Sequence, residues 1–224
     1  MISIVIPTYL QPGKGGEMLI QLLNSIRLQD IPVPYEVVVS DNDDTDKIFK
    51  ICERFKGILP IRYHFNHIKG ASENFNFAID LAGYDKIKLM CMDDVFYSRH
   101  AITLFAEALN NYGWVISNSV NINEHNVIYG RRYTKYNHNQ MEVNITGMPS
   151  VVGFNRCDVR FNPKLKTFCD TYFYYQLYER FGQPGVINTF TVACRFWGGS
   201  LSHNQPPNHK QDLQYLRENK MIKC

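Results

Sequence analysis

In the segment LMCMDDVF, residues 89 to 96, two carboxylates stand side by side at the end of an apolar run. Adjacent like charges repel, and neither is stable in a core without a partner. A divalent metal is the simplest such partner. Hard oxygen ligands suit Mg²⁺ or Mn²⁺, completed by phosphate oxygens and water. Consecutive side chains on an extended backbone point to opposite sides. One of Asp93 and Asp94 is therefore expected to face a metal, and the other a hydroxyl or backbone group. A turn or helix-capping pair is the plainer alternative, and placement after a buried strand weighs against it.

A second acidic group, SDNDDTD, supplies Asp41, Asp43, Asp44 and Asp46 within a few positions. A carboxylate at the first of these can accept hydrogen bonds from a base N–H or a ribose hydroxyl. The competing reading is an acidic turn with a helix cap at Asp44 or Thr45. The run lacks the central Gly and terminal Glu of a calcium loop.

Residues of these kinds need elements to hold them. ISIVIP, YEVVVSD, IRYHFN, DKIKLMCM and WVISNS read as strands, each a short apolar, β-branched run. Helical spacing alternates with them. Leu19, Leu22, Leu23 and Ile26 share one face, then Ile48, Cys52 and Phe55, then Phe75, Ile79 and Ala82, then Ile102, Phe105 and Leu109. Such alternation predicts an α/β fold with a parallel sheet between helices. Ligands of such sheets bind beyond the carboxyl ends of the strands. Thr8 and Tyr9, Asp41 to Asp44, Asn66 to Gly70, and Asp93 with Asp94 all fall at such ends.

Past residue 120 the pattern changes. Residues 133 to 150 are polar and poorly periodic, PSVVGFNR and VINTFTVACRFW are strand-like, and residues 170 to 181 form an aromatic helix ended by Gly182. A polar, helix-compatible tail follows, over about 206 to 224. With 224 residues and no repeat or linker, one domain is expected.

Composition excludes some classes. A formal charge of +3 gives no field suited to nucleic acid or a membrane surface. Six cysteines without a CxxC pair suggest neither a zinc site nor a disulfide framework. No signal peptide and no apolar run of membrane-spanning length are read, so a soluble, cytoplasmic setting is expected. On that reading the sequon Asn144-Ile145-Thr146 is chance.

Taken in order, ISIVIPTYL, VVVSDNDDTD, NHIKGASENFNFAI and MCMDDVF resemble the family 2 glycosyltransferases of the GT-A fold. VVGFNR, FCDTYFYYQLYERFG and CRFWGGSLS continue the resemblance at the family's spacing, over roughly residues 2 to 204. The resemblance implies a GT-A fold, mostly parallel in its central sheet. A nucleotide-binding half would span about 1 to 95 and an acceptor-binding half about 96 to 205. It implies transfer of a sugar from a nucleotide-diphospho-sugar donor to a hydroxyl of an oligosaccharide or glycan acceptor, with inversion, assisted by Mn²⁺ or Mg²⁺.

By position in that pattern, Pro7, Thr8, Tyr9 and Asp41 would hold the base and ribose, and Lys69 the base or diphosphate. Asp93 would face the ribose and Asp94 the metal. Many members carry another Asp where this chain has Cys91, which is read as packing rather than chelating. His203 is a further ligand or phosphate contact, against the bland reading of a surface His. Asp170 aligns with the family's general base, which takes the acceptor proton as its oxygen attacks; a helix cap is its plainer role. Tyr172 to Tyr175 would line the acceptor pocket or pack in the core. Arg131 and Arg132 would steady a diphosphate or end a solvated strand, and Gly198 with Gly199 would allow close backbone approach or form a turn.

Two other classes compete. A sugar nucleotidyltransferase needs a glycine-rich, basic loop after the first strand, and PTYLQPGKGG lacks its Gly-x-Gly-x-Arg arrangement. A non-catalytic nucleotide- or carbohydrate-binding module is kept open by Cys91, while Asp94 and Asp170 argue against it. UDP is the base expected by default.

Overall fold

In the computed structural model, residues 1–10, 15–140, 142–198, 208–219 and 221 are described. His203 and Gly199, named above as candidates, lie outside them. The first strand, β1 (Ile2–Thr8), is buried along nearly its whole length, as a β-branched run covered on both faces must be. It pairs in parallel with β2 (Tyr35–Asp41), which pairs in parallel with β3 (Ile61–Phe65). On its other side β1 takes β4 (Lys86–Leu89), again in parallel. Register puts Thr8 beside Asp41 and Asp41 beside Phe65, so three strand ends finish on one line.

Helices α1 (Gly15–Arg27), α2 (Lys47–Phe55) and α3 (Ala71–Leu81) follow β1, β2 and β3. The buried residues of α1 are Gly15, Met18, Leu19, Leu22, Leu23 and Ile26, and those of α2 are Ile48, Ile51, Cys52 and Phe55. These are the stripes the spacing predicts. Each fully buried aliphatic side chain contributes about 1.5–3 kcal/mol relative to exposure. Asp44 does not cap α2. The capping position is Asp46, without a side-chain cap bond, and Asp44 pairs with Lys69 instead.

The second half is mixed rather than parallel. After β5 (Val95–Phe96) and α4 (Ala101–Ala108) comes β6 (Trp114–Ile122), flanked by β7 (Ile128–Arg132) and β8 (Val152–Asn155) on one side. Both run antiparallel to it, while β9 (Gly185–Arg195) runs parallel on the other side. The strand order is β3-β2-β1-β4-β8-β6-β9-β5, with β7 on β6. Arg131 and Arg132 belong to β7, with the Arg131 guanidinium over the Phe190 ring, which fits the strand reading.

Between β8 and β9 lies α5 (Cys169–Phe181), ended by Gly182 at φ +78°. Tyr172, Phe173 and Tyr174 are buried, with Phe173 stacked on Phe161 and the Tyr174 hydroxyl donating to Gly147 O, so these three pack in the core. The tail forms α6 (His209–Glu218), which docks on α5 through Leu216 against Leu165, Phe168 and Tyr172. Asp212 of α6 is buried, and its Oδ2 accepts the amides of Lys166, Thr167 and Phe168 at 3.0, 2.7 and 3.0 Å. Phe168 is the capping position of α5, so a carboxylate from the tail holds the start of that helix. Among the described residues, no helix is long and apolar enough to cross a membrane.

Candidate active site

A cavity of about 500 Å³ opens at the carboxyl ends of the parallel strands. Pro7, Thr8 and Tyr9 reach it from the end of β1, Asn42 and Asp44 from the turn after β2, and Lys69 and Gly70 from the approach to α3. Cys91, Met92 and Asp93 form another part of the wall, with Met148 and Trp197 from the second half.

Asparagines hold the first wall together. Asn42 Nδ2 donates to the carbonyls of Asn66 and Ile68, and its Oδ1 accepts the Gly70 amide. Asn74 Nδ2 donates to the carbonyls of Thr8 and Ser40, while its Oδ1 accepts from Ser40 and Asn66. These bonds satisfy backbone groups that the strand ends leave unpaired. Gly70 sits at φ +136°, a backbone conformation that side-chain-bearing residues rarely adopt, so the turn into α3 favours glycine. Lys69 Nζ donates to Asn42 O at 2.7 Å and Asp44 Oδ1 at 2.6 Å, leaving it half exposed at the cavity.

Asp41 does not reach this cavity. It is fully buried, with Oδ1 accepting the Asp43 amide at 2.9 Å and Oδ2 accepting the Tyr63 hydroxyl at 2.7 Å. Burial raises its pKa, and the two donors oppose that shift. In this structure both oxygens of Asp41, expected to face base or ribose, are engaged in the turn that presents Asn42 and Asp44.

The acidic pair departs from expectation differently. β4 ends at Leu89, and the Asp94 amide donates to Cys91 O, closing a turn over residues 91 to 94. On this turn the carboxylates are not thrown to opposite sides: ligand atoms of Cys91, Asp93 and Asp94 all lie within 4.8 Å of one another. Asp93 Oδ2 accepts the Trp197 indole N–H at 3.0 Å, and Asp94 Oδ1 accepts the Arg195 amide at 2.7 Å. Asp94 is 1% exposed, and its Oδ2 has no hydrogen-bond partner among the described residues. The Ser150 hydroxyl is near enough to oppose the shift of Asp94, but it does not reach Oδ2 in bonding geometry. Burial, with the charge of Asp93 added, pushes Asp94 up to about 7; burial also raises Asp93.

An orphaned, buried carboxylate oxygen beside a second carboxylate fits a divalent cation. Among the described residues, none serves that atom. Arg195 is the nearest candidate, but its Nε donates to Asp93 O and its amino groups to Asn123 O, Asn126 Oδ1 and Gln21 Oε1.

Asp170 lies in the first turn of α5, with no side-chain cap bond at that helix start. Its carboxyl keeps some surface open, yet burial by its neighbours lifts it to about 6, against a weak bond from the Cys169 thiol. Its charge also acts on Cys91, so base candidate and acidic turn share one electrostatic neighbourhood.

The profile of glycosyl transferase family 2 matches residues 3–198. The chain belongs to that family. No curated protein matches it by sequence. Among solved structures, the first 349 residues of TarS from S. aureus, in complex with UDP-GlcNAc, are similar at a TM-score of 0.78 and 16% identity. That alignment covers 97% of this chain and 64% of the other. Against TarS itself the TM-score is 0.69 at 18% identity, covering 87% of this chain and only 36% of TarS. The mannosyltransferase PcManGT from Pyrobaculum calidifontis, in complex with GDP-Man and Mn²⁺, aligns at a TM-score of 0.64 and 15% identity, over 100% of this chain and 65% of its own. These likenesses establish the GT-A fold, and the chain spans less than two thirds of the length of these structures.

Within a family 2 frame, the structure gathers Pro7, Thr8, Tyr9, Lys69 and Asp93 at one cavity, with Asp94 buried on the turn beside Asp93. Sequence reading passed over Asn42, Asn74 and Trp197. Asparagine after an acidic residue signals only a turn, and nothing local shows that Asn74 will reach back to Thr8. Lys88 was also missed. It is fully buried in β4, donating to Leu89 O at 2.7 Å and to Ser150 O, with Nζ 4.3 Å from the Phe105 centroid. Burial lowers its pKa to about 7.

Proposed function

We propose that this chain is an inverting glycosyltransferase that moves a sugar from a nucleoside-diphosphate donor, a UDP-sugar by preference, to a hydroxyl of a glycan. The observation that carries the reading is the buried Oδ2 of Asp94, which has no partner among the described residues, on a turn whose Asp93 lines a nucleotide-sized cavity. Thr8, Tyr9 and Asn42 would flank the base, and Lys69 with the start of α3 would favour the diphosphate, since a helix N-terminus attracts anions.

Asp94 with Asp93 would hold a divalent cation, Mn²⁺ or Mg²⁺, which when bound neutralises charge on the leaving diphosphate. Asp170 accepts the proton of the acceptor hydroxyl as its oxygen bonds to the anomeric carbon and the bond to the diphosphate oxygen breaks. The raised pKa of Asp170 suits a base, because a carboxylate of ordinary acidity is a poor proton acceptor at neutral pH. Trp197 fixes the Asp93 carboxylate, and Asp212 fixes the start of the helix carrying Asp170.

The test is a donor panel. UDP-, dTDP- and GDP-sugars are incubated with the protein, Mn²⁺ and a glycan mixture, and release of nucleoside diphosphate is read with product mass. Consumption of a UDP-sugar with a matching mass gain, and an inverted anomeric configuration by NMR, is expected. Binding of UDP with no donor consumed under any condition would return the chain to the class of binding modules.

A further inference from the structure

We propose that Cys91 is itself a ligand of the metal centre, and that it makes this centre prefer a thiophilic first-row divalent ion to magnesium. This rests on the metal reading given above for Asp93 and Asp94. It reverses the sequence expectation that Cys91 only packs.

Three observations converge. Cys91 lines the cavity rather than facing the core of the sheet. Its sulfur lies with carboxylate oxygens of Asp93 and Asp94 inside 4.8 Å, on one tight turn. Asp94, in the same cluster, carries a buried oxygen with no partner among the described residues, which a cation would satisfy. The Cys91 amide is pinned by the Ser150 hydroxyl at 2.8 Å, and Ser150 is held in turn by Lys88, so the turn is fixed from behind.

The consequence is selectivity. Magnesium takes oxygen ligands in a near-ideal octahedron and gains little from sulfur, whereas thiolate favours zinc, cobalt and, less strongly, manganese. Two carboxylates and one thiolate are a mixed set that magnesium fits poorly. Binding replaces the thiol proton by the metal and releases that proton to solvent.

Cobalt(II) reports such a bond directly, because thiolate-to-cobalt charge transfer absorbs in the near ultraviolet and carboxylate ligation does not. Titrating the protein with cobalt should develop this band to one equivalent. Cys91→Ser should abolish it and weaken cobalt binding by about tenfold or more, since even outer-shell changes cost metal sites that much. Cys169→Ser should leave it intact. Zinc should displace the band, and a large excess of magnesium should not. Calorimetry and the Asp94→Asn variant separate the two readings. If cobalt binds, depends on Asp94 and gives no thiolate band, the metal centre stands and the Cys91 assignment is overturned. If cobalt does not bind at all, both are overturned. A band that survives Cys91→Ser also overturns the assignment. Should Cys91→Ser fail to fold, wild-type protein is alkylated with iodoacetamide and mapped by peptide mass. Zinc must then protect Cys91 while magnesium does not; equal labelling in both overturns the proposal.

Discussion

The backbone amide of Arg195 donates to Oδ1 of Asp94 at 2.7 Å, tying the end of β9 to the acidic turn across 101 residues of sequence. The guanidinium of the same residue binds carbonyls and amides, not the carboxylates. Among the described residues, the second half of the chain therefore orients Asp94 without neutralising it by contact. An unneutralised buried carboxylate costs stability, and a bound cation removes that cost. Asp94→Asn keeps an acceptor for the Arg195 amide and removes the charge. Its melting temperature without metal is expected to equal or exceed that of the wild type, and the rise on adding Mn²⁺ to vanish. Thermal scans with and without Mn²⁺ check this, and an equal rise in both proteins would remove Asp94 from the site.

Asp41 now carries a stability prediction. Replacing it by Ala leaves the Tyr63 hydroxyl and the Asp43 amide without their acceptor in a buried place. A loss of about 1–3 kcal/mol is expected, the cost of orphaned buried donors. Urea denaturation measures it. Unchanged stability would mean the turn does not depend on this carboxylate.

Lys69 pairs with a largely exposed Asp44, so Lys69→Ala should change stability by less than about 1 kcal/mol. UDP affinity should fall about tenfold, the worth of one charge-assisted contact of about 1.5 kcal/mol. Calorimetry at two salt concentrations reads both the loss and its screening. An affinity equal to wild type would leave Lys69 as a partner of Asp44 only.

Asp170 predicts opposite pH trends for rate and stability. Burial raises its native pKa to about 6, above the ordinary carboxylate value near 3.8. The folded state thus holds this proton more tightly than the unfolded one. Its contribution to stability is greatest below about 4 and is lost as pH rises through about 6. The base works only when ionised, so transfer should rise with pH and level off above about 6. Asp170→Asn should flatten both profiles and cut transfer by roughly 10²–10⁴-fold, with UDP affinity nearly unchanged. A helix cap predicts a normal rate, because Asn caps about as well as Asp.

Asp212 lies beyond the matched residues 3–198, yet it holds the loop that starts α5. Asp212→Ala should destabilise the fold by about 1–3 kcal/mol through three orphaned amides. It should slow transfer more than it weakens UDP binding, since it displaces the helix of Asp170 and not the nucleotide walls. Equal losses in both would show that α6 supports the whole domain and not that helix in particular.

The alternating first half of the fold was legible because its signals are local. YEVVVSD maps onto β2 and the stripe of Leu19, Leu22, Leu23 and Ile26 onto α1 because burial periodicity is a short-range signal. The errors arose where a partner far along the chain decides. Asp41 looked free because Tyr63, which takes its carboxylate, stands on the neighbouring strand. LMCM looked like strand to its end, but the turn closing on Asp94 begins at Cys91, and apolar residues there face a cavity instead of the core. β7 was signalled only by the reading of Arg131 and Arg132 as a solvated strand end, because Ile128, Tyr129 and Arg131 are all exposed and no buried face marks the strand. Lys88 carries a charge that no periodicity places inside a sheet; Leu89 and Ser150 carbonyls and the Phe105 ring accept it.

Metal-dependent binding of a nucleoside diphosphate is the central claim, and it can be measured without knowing donor sugar or acceptor. UDP is titrated into the wild-type protein by calorimetry, once with saturating Mn²⁺ and once with EDTA. Two diphosphate charges facing Asp93 and Asp94 unscreened should repel. Affinity with EDTA is expected to fall by tenfold or more, about 1.4 kcal/mol. Equal affinity in the two titrations would contradict the account.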